Sequence, residues 1–291
     1  MSTKIQWTDV TDNIITVKGG GWWCRMISPG CAHCYAAKLN QNSFFGGNKM
    51  AYAGDAPEMI LREDVINSWS GQRIPKKHFV CSMTDVFGDW VTEPMAINFL
   101  RGMWRAPKQT FQVLTKRPDI ALERIKAWLK FDGLNSMPPN IWMGVSVEDN
   151  LRRTRIGILK DIPCAVKFIS FEPLLEDLPE LRLDGIAWAI IGGESGKEAR
   201  PCGVDWIRNL VLQCNGQKVA VFVKQFGENS VIKNDSEFDD IWPGATIPFH
   251  QDYEPNYQGE LAPLRFADKK GGDMAEWPED LRVREFPKNS N

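Results

Sequence analysis

At 291 residues the chain is long enough to bury well over half of the surface it exposes when unfolded, and 43% hydrophobic with 25% charged residues excludes disorder as the default. No run reaches the roughly 18 uncharged apolar residues of a membrane span. The opening MSTKIQWTDV has no basic segment followed by an apolar run, so the expectation is a cytoplasmic chain with no membrane partner. The net charge of -2 conceals two unlike parts: residues 1–227 hold 28 Lys and Arg against 23 Asp and Glu, whereas residues 228–291 hold 7 against 14. A mildly basic body suits a phosphate-bearing substrate and falls short of the footprint of a dedicated duplex binder.

Taken in chain order, a first strand is expected somewhere in Ile5 to Val17, followed by the run WCRMISPGCAHCYA, Trp23 to Ala36. In a reducing compartment, seven cysteines with three clustered point to metal binding or catalysis before disulfides. Cys81, Cys164, Cys202 and Cys214 are scattered and read as small buried hydrophobes. Cys24, Cys31 and Cys34 are spaced C-x6-C-x2-C, with Ser28-Pro29-Gly30 as a turn that brings the thiols together. Zinc would take three thiolates plus His33 or a distant ligand. A four-iron cluster on three cysteines would instead leave one iron open to a substrate or cofactor. The absence of a second CxxC pair and the helix start YAAKLNQ directly after Cys34 favour the cluster.

From residue 78 short apolar runs recur: HFVCSMTD, TFQVLTKRP, NIWMGVSVED, VKFISFEP, IAWAIIGGES and VAVFVKQFG. Continuous runs rich in Val, Ile and Phe suit strands buried on both faces. The segments between them, such as DIALERIKAWLKF and VDWIRNLVLQC, repeat apolar residues at three and four, as crossover helices do. The fold class expected is α/β, a partial or complete (β/α) barrel over residues 1–227, because polar side chains stand at nearly every strand end. After Gly227 the regularity stops, and residues 228–291 read as an acidic, irregular extension packed on the barrel.

The strand ends supply the site candidates. Lys116 and Arg117 precede Pro118, a favourable first helical residue, so two cations beside a helix N-terminus suggest a place for phosphate or carboxylate. Arg200 and Lys224 extend that lining, and a surface pair with Asp119 or Glu123 is the plain alternative for Lys116 and Arg117. Asp85 and Glu172 are candidate acid–base or hydrogen-bonding groups. The RRTR at 152–155 is expected to project partly into solvent.

Together with TKRP, NIWMGVSVED, FISFEPLL, IIGGESGKEARP, FVKQFG, KKGG and VREFP in that order, the cysteine run resembles a phage-associated three-Cys-motif family related to radical SAM enzymes. The first cysteine interval is three residues longer than the usual C-x3-C-x2-C. The resemblance implies a barrel of radical SAM type in which Cys24, Cys31 and Cys34 hold a [4Fe-4S] cluster and S-adenosylmethionine occupies the open iron. It also implies that Gly192, Gly193, Glu194 and Ser195 bind the cofactor, with Ser146 and Glu148 on its ribose or methionine end, and that an electron donor and a three-Cys-motif partner protein act with the chain. The function expected is reductive cleavage of S-adenosylmethionine to a 5'-deoxyadenosyl radical that modifies a substrate, with nucleic acid or nucleotide preferred. The alternative is a zinc- or cluster-containing nucleic-acid-binding protein without radical chemistry. A metal-dependent hydrolase is disfavoured by the lack of a paired His motif.

Overall fold

All six apolar runs become strands. In a computed structural model that describes residues 3–233 and 261–288, the chain divides into two compact units. The first is Met1–Ser146 with Thr154–Ile169 and Asn289–Asn291; the second is Val147–Arg153 with Ser170–Lys288.

In the first unit β1 (Val10–Asp12), β4 (Lys77–Val80), β5 (Thr110–Thr115) and β6 (Ile141–Ser146) lie side by side in that order, followed by β7 (Lys167–Phe171), within which the division falls. Asp12 pairs with Val80, Val80 with Val113 and Val113 with Met143, all in parallel register. Every residue of β6 is buried, as a strand covered on both faces requires. Gly144 makes this possible, since a Cβ there would stand 2.4 Å from the Phe168 ring. Ile15–Val17 (β2) leaves the parallel order and pairs antiparallel with Met59–Leu61 (β3).

The helices follow from their caps and stripes. In α3 (Glu93–Trp104) the Thr92 hydroxyl accepts from the Met95 N–H, Pro94 sits in the first turn, and Ala96, Phe99, Leu100 and Met103 bury one face at the i, i+3, i+4, i+7 spacing. In α4 (Pro118–Asp132) Pro118 opens the helix and Gly133, at φ 67°, closes it in the left-handed region. The shorter α1 (Tyr35–Asn40), α2 (Glu63–Trp69) and α5 (Thr154–Lys160) complete the unit.

In the second unit the order continues as β7, β8 (Trp188–Gly192) and β10 (Ala220–Gln225), the last two parallel with Val221 against Ala189. Between them run β9 (Cys202–Gly203) and α6 (Val204–Gly216). The region after Gly227 is more ordered than expected: β11 (Ser230–Lys233) pairs with β9 in parallel and with β12 (Leu261–Leu264) in antiparallel. Its later part covers the edge of β10, where the Val223 N–H donates to the Val283 carbonyl and the Glu285 N–H to the Val221 carbonyl. Residues 234–260, the most acidic part of the expected extension, lie outside the described residues.

The α/β class therefore stands, with seven strands in the order β1-β4-β5-β6-β7-β8-β10, whose two ends are β1 and β10. Among the described residues that order is consistent with a partial barrel. No helix among the described residues is long and apolar enough to cross a membrane.

Candidate functional site

The cysteine loop is fastened to the ends of β4 and β5 by side chains from both sides. The Thr84 hydroxyl donates to the Trp23 carbonyl at 2.7 Å, and Arg117 Nη2 donates to the Arg25 carbonyl at 2.8 Å. From the loop side, the Tyr35 hydroxyl donates to the Ser82 carbonyl at 2.8 Å and the Tyr52 hydroxyl to the Met83 carbonyl at 2.7 Å. Arg25 itself bonds Asp89 at 2.6 Å. Trp23 packs edge-on against Trp90 with ring centroids 5.0 Å apart, and both indoles are buried. Cys24 and Cys34 pack against one apolar cluster of Ala36, Tyr52 and Met83.

The three thiols meet different fields. Burial pushes the Cys24 thiol up to about 12, and the Asp85 carboxylate adds to the rise. Burial also raises Cys34, although the amide N–H groups of Ala37 and Ala36 at the start of α1 oppose it. Burial works against ionisation of Cys31 too, but there Lys116, the amides of Ile27 and Ser28 and the Ser28 hydroxyl outweigh it, so this thiol lies below its ordinary range. The Ser28 oxygen stands 3.6 Å from the Cys31 sulfur. Burial in turn pushes Lys116 down to about 8, against the pull of the Cys31 thiolate. Lys116, expected to bind a ligand anion, thus faces the Cys31 thiol.

Among the described residues no three His, Cys, Asp or Glu side chains are drawn together as metal ligands. What fits a metal centre is the donor chemistry. Three partly exposed thiols share one loop at strand ends, two of them, Cys31 and Cys34, take more than one amide N–H, and a cation faces Cys31. Peptide N–H groups aimed at sulfur favour the thiolate, the form that binds iron or zinc.

Asp85 and Arg117 come together, and neither is free. Asp85 accepts from the Phe87 N–H at 3.0 Å, the Thr115 hydroxyl at 2.7 Å, the Lys116 N–H at 2.9 Å and Arg117 Nη1 at 3.2 Å. The Arg117 guanidinium lies over the Trp90 ring, 4.7 Å from its centroid. This pair replaces the surface pair with Asp119 or Glu123 weighed from the sequence, and it holds the cysteine loop in place. Ser146 ends β6, its carbonyl accepting from Arg155 Nη1 at 2.7 Å. Arg155 is therefore buried, not solvated as the RRTR run suggested, because the guanidinium takes up a carbonyl left at the strand end.

The second unit holds the remaining candidates. Glu148 is fully buried, and its backbone carbonyl accepts from the Leu175 N–H. Glu172 accepts from Lys224 at 2.7 Å and from the Ser170 hydroxyl at 3.3 Å, beside a cis Glu172–Pro173 bond. Glu194 takes Arg200 through two guanidinium nitrogens, at 2.9 and 2.5 Å, and the Arg200 N–H at 3.0 Å. Packing requires a glycine at 193, where a Cβ would stand 1.9 Å from the Phe226 carbonyl oxygen, whereas one on Gly192 would meet only the movable carboxylate end of Glu172 at 2.9 Å. Ser195 is half-buried on the same loop. Tyr52, whose hydroxyl holds the Met83 carbonyl, carries no signal in the sequence, since only its burial sets it apart.

Residues 2–269 match the model of a family described as a protein of unknown function (DUF5131). No curated protein and no solved structure matches the chain.

Proposed function

The chain belongs to the DUF5131 family, whose description names no reaction, and from the chemistry of its cysteine loop we propose that it is an iron–sulfur enzyme of the radical SAM kind. The observation that carries the proposal is the placement of three thiols, with inward amides and Lys116 beside Cys31, on a loop fastened to the ends of β4 and β5. Zinc needs a fourth ligand to close its tetrahedron; a three-thiolate [4Fe-4S] centre needs none from the protein.

Cys24, Cys31 and Cys34 would hold the cluster. With one iron free for S-adenosylmethionine, a reduced cluster would supply the electron that cleaves the sulfonium to methionine and a 5'-deoxyadenosyl radical. The protein's share is position and electrostatics. Arg117 anchors the loop through the Arg25 carbonyl while its charge is balanced by Asp85. Lys116 offsets the negative charge that three thiolates bring to a partly buried place. Trp23 and Trp90 keep water from the back of the loop. For S-adenosylmethionine the candidate of the first unit is Ser146, at the end of β6. In the second unit, Glu172 with Lys224 is a strand-end pair that water can reach.

Anaerobic reconstitution with iron and sulfide tests this. The expected product is a brown protein with about four irons per chain that releases 5'-deoxyadenosine from S-adenosylmethionine on reduction. Cys31→Ala should lose the iron. A colourless chain holding one zinc, or a Cys31→Ala variant with full iron, overturns the proposal, and zinc would support the binding-protein alternative.

A further inference from the structure

Between Asp12 and Asp55 the sequence contains no Asp or Glu, although the chain has 37 of them. Lys18, Arg25, Lys38 and Lys49 fall inside that stretch, and so does the cysteine loop. Lys18 and Arg25 are engaged by Glu58 and Asp89 from outside it. Lys38 and Lys49 are exposed on α1 and on the loop that follows. Around them stand aromatic rings of unusual exposure: Phe44 at 88%, Phe45 at 57% and Tyr35 at 50%.

These rings are not on a slack loop. The buried Asn40 side chain accepts from the Trp22 N–H at 3.1 Å and donates to Asn48 at 2.7 Å and to the Met50 carbonyl at 3.1 Å. Asn42 caps the 3-10 turn Ser43–Phe45 by accepting from the Phe44 N–H at 2.9 Å. Gly46 turns the chain at φ 82°, and Gly47 lies so close to the Asn40 carbonyl that a Cβ would stand 2.2 Å from it. The backbone is thus held firmly, while the Phe44 and Phe45 rings, 5.4 Å apart and nearly perpendicular, face solvent. Exposing two phenyl rings on a built loop opposes the hydrophobic effect unless something covers them.

We propose that residues 35–50 form a docking shelf for single-stranded nucleic acid, with bases stacking on Phe44 and Phe45 and phosphates meeting Lys38 and Lys49. Aromatic faces interleaved with cations and flanked by the amides of Gln41 and Asn42 match the general chemistry of sequence-tolerant strand binding. The acid-free stretch favours a polyanion over a protein surface of mixed charge. As the substrate class of the proposed centre this rests on that reading, whereas binding itself does not.

The test is fluorescence anisotropy of the full chain with a labelled mixed-sequence single strand of about 20 nucleotides, as DNA and as RNA. The F44A/F45A double variant should bind at least about tenfold more weakly with its melting temperature unchanged, since each stacked base is worth about 1–3 kcal/mol. The K38Q/K49Q variant should lower the slope of log affinity against log salt by about 1.4. Equal affinity of F44A/F45A and the native chain overturns the shelf, as does salt-independent binding. So does self-association that F44A/F45A abolishes in a chain that ignores the strand, which would assign the patch to a second copy. The native chain after anaerobic reconstitution separates the two proposals: a chain that takes up about four irons and ignores the strand sinks only the shelf, and a chain that binds the strand and never takes up iron sinks only the centre.

Discussion

In the first unit Asp85 accepts four hydrogen bonds, three of them from the end of β5 and its sequel, and its guanidinium partner Arg117 reaches on to the Arg25 carbonyl. In the second, Glu172 accepts from Lys224 and from the Ser170 hydroxyl. The side chains of Asp85 and Arg117 are each 8% exposed, while Lys224 is 26% and Glu172 15% exposed. Equivalent chemical groups at strand ends thus serve two purposes. Where the charge is buried and passed on to a backbone carbonyl, it fixes a loop; where it is paired locally and reached by water, the partner is exchangeable and a ligand can take its place.

The sharpest way to break this comparison is Arg117→Leu. It leaves Asp85 buried with one cation fewer, and the expected cost is about 3–5 kcal/mol in denaturant unfolding at neutral pH. Asp85→Asn combined with Arg117→Leu should recover a good part of it, because the uncompensated charge is gone. A loss below about 1 kcal/mol for Arg117→Leu would place this pair with those of the second unit.

Next in size is the contrast among the thiols of the metal-free chain. Cys31 lies below 9.0, the ordinary thiol value, and Cys24 at about 12. At neutral pH Cys31 should therefore hold the larger thiolate fraction and be alkylated faster than Cys24, although the weaker nucleophilicity of the more acidic thiolate narrows the gap. Mapping iodoacetamide adducts by mass spectrometry should find Cys31 first. Its rate should rise with pH through a midpoint below 9.0, since the reactive species is the deprotonated one, and Lys116→Gln should move that midpoint upward. Equal labelling of Cys24 and Cys31 at neutral pH would show that the two thiols share one environment.

The sheet was legible for a reason that the site was not. Continuous apolar runs such as VKFISFEP and IAWAIIGGES predict strands buried on both faces, and β7 and β8 fall within them. The small sheets left no such trace, because β2 and β3 are three residues each and pair across more than forty positions of sequence. The three cysteines announced themselves by spacing. Asp85 and Arg117 were each legible as strand-end polar residues, yet their pairing across 32 positions was not, and local sequence offered Asp119 and Glu123 as nearer partners. Arg155 misled for a related reason: within RRTR it resembles a solvated charge, and only the Ser146 carbonyl beside it explains its burial. Gly192 and Gly193 read as cofactor-loop glycines, and at Gly193 close packing against the Phe226 carbonyl also calls for one.

Gly193→Ala examines that last point. A methyl group 1.9 Å from the Phe226 carbonyl oxygen forces the β8 and β10 ends apart, and about 1–3 kcal/mol of stability should be lost whether or not a cofactor is present. If thermal unfolding is unchanged, the glycine is not a packing requirement and its role belongs to a ligand.

The smallest effect expected is for Lys224→Met, the counterpart of the first substitution. Glu172 keeps the Ser170 hydroxyl as a donor, and its side chain, 15% exposed, is open to water that can replace the ammonium. Losing so accessible a partner should cost about 0–1 kcal/mol in the same unfolding measurement. A cost near that of Arg117→Leu would mean that Glu172 depends on Lys224 as fully as Asp85 depends on Arg117. The exchangeable pair would then become a second structural clamp, and Glu172 would lose its claim as a group a substrate can meet.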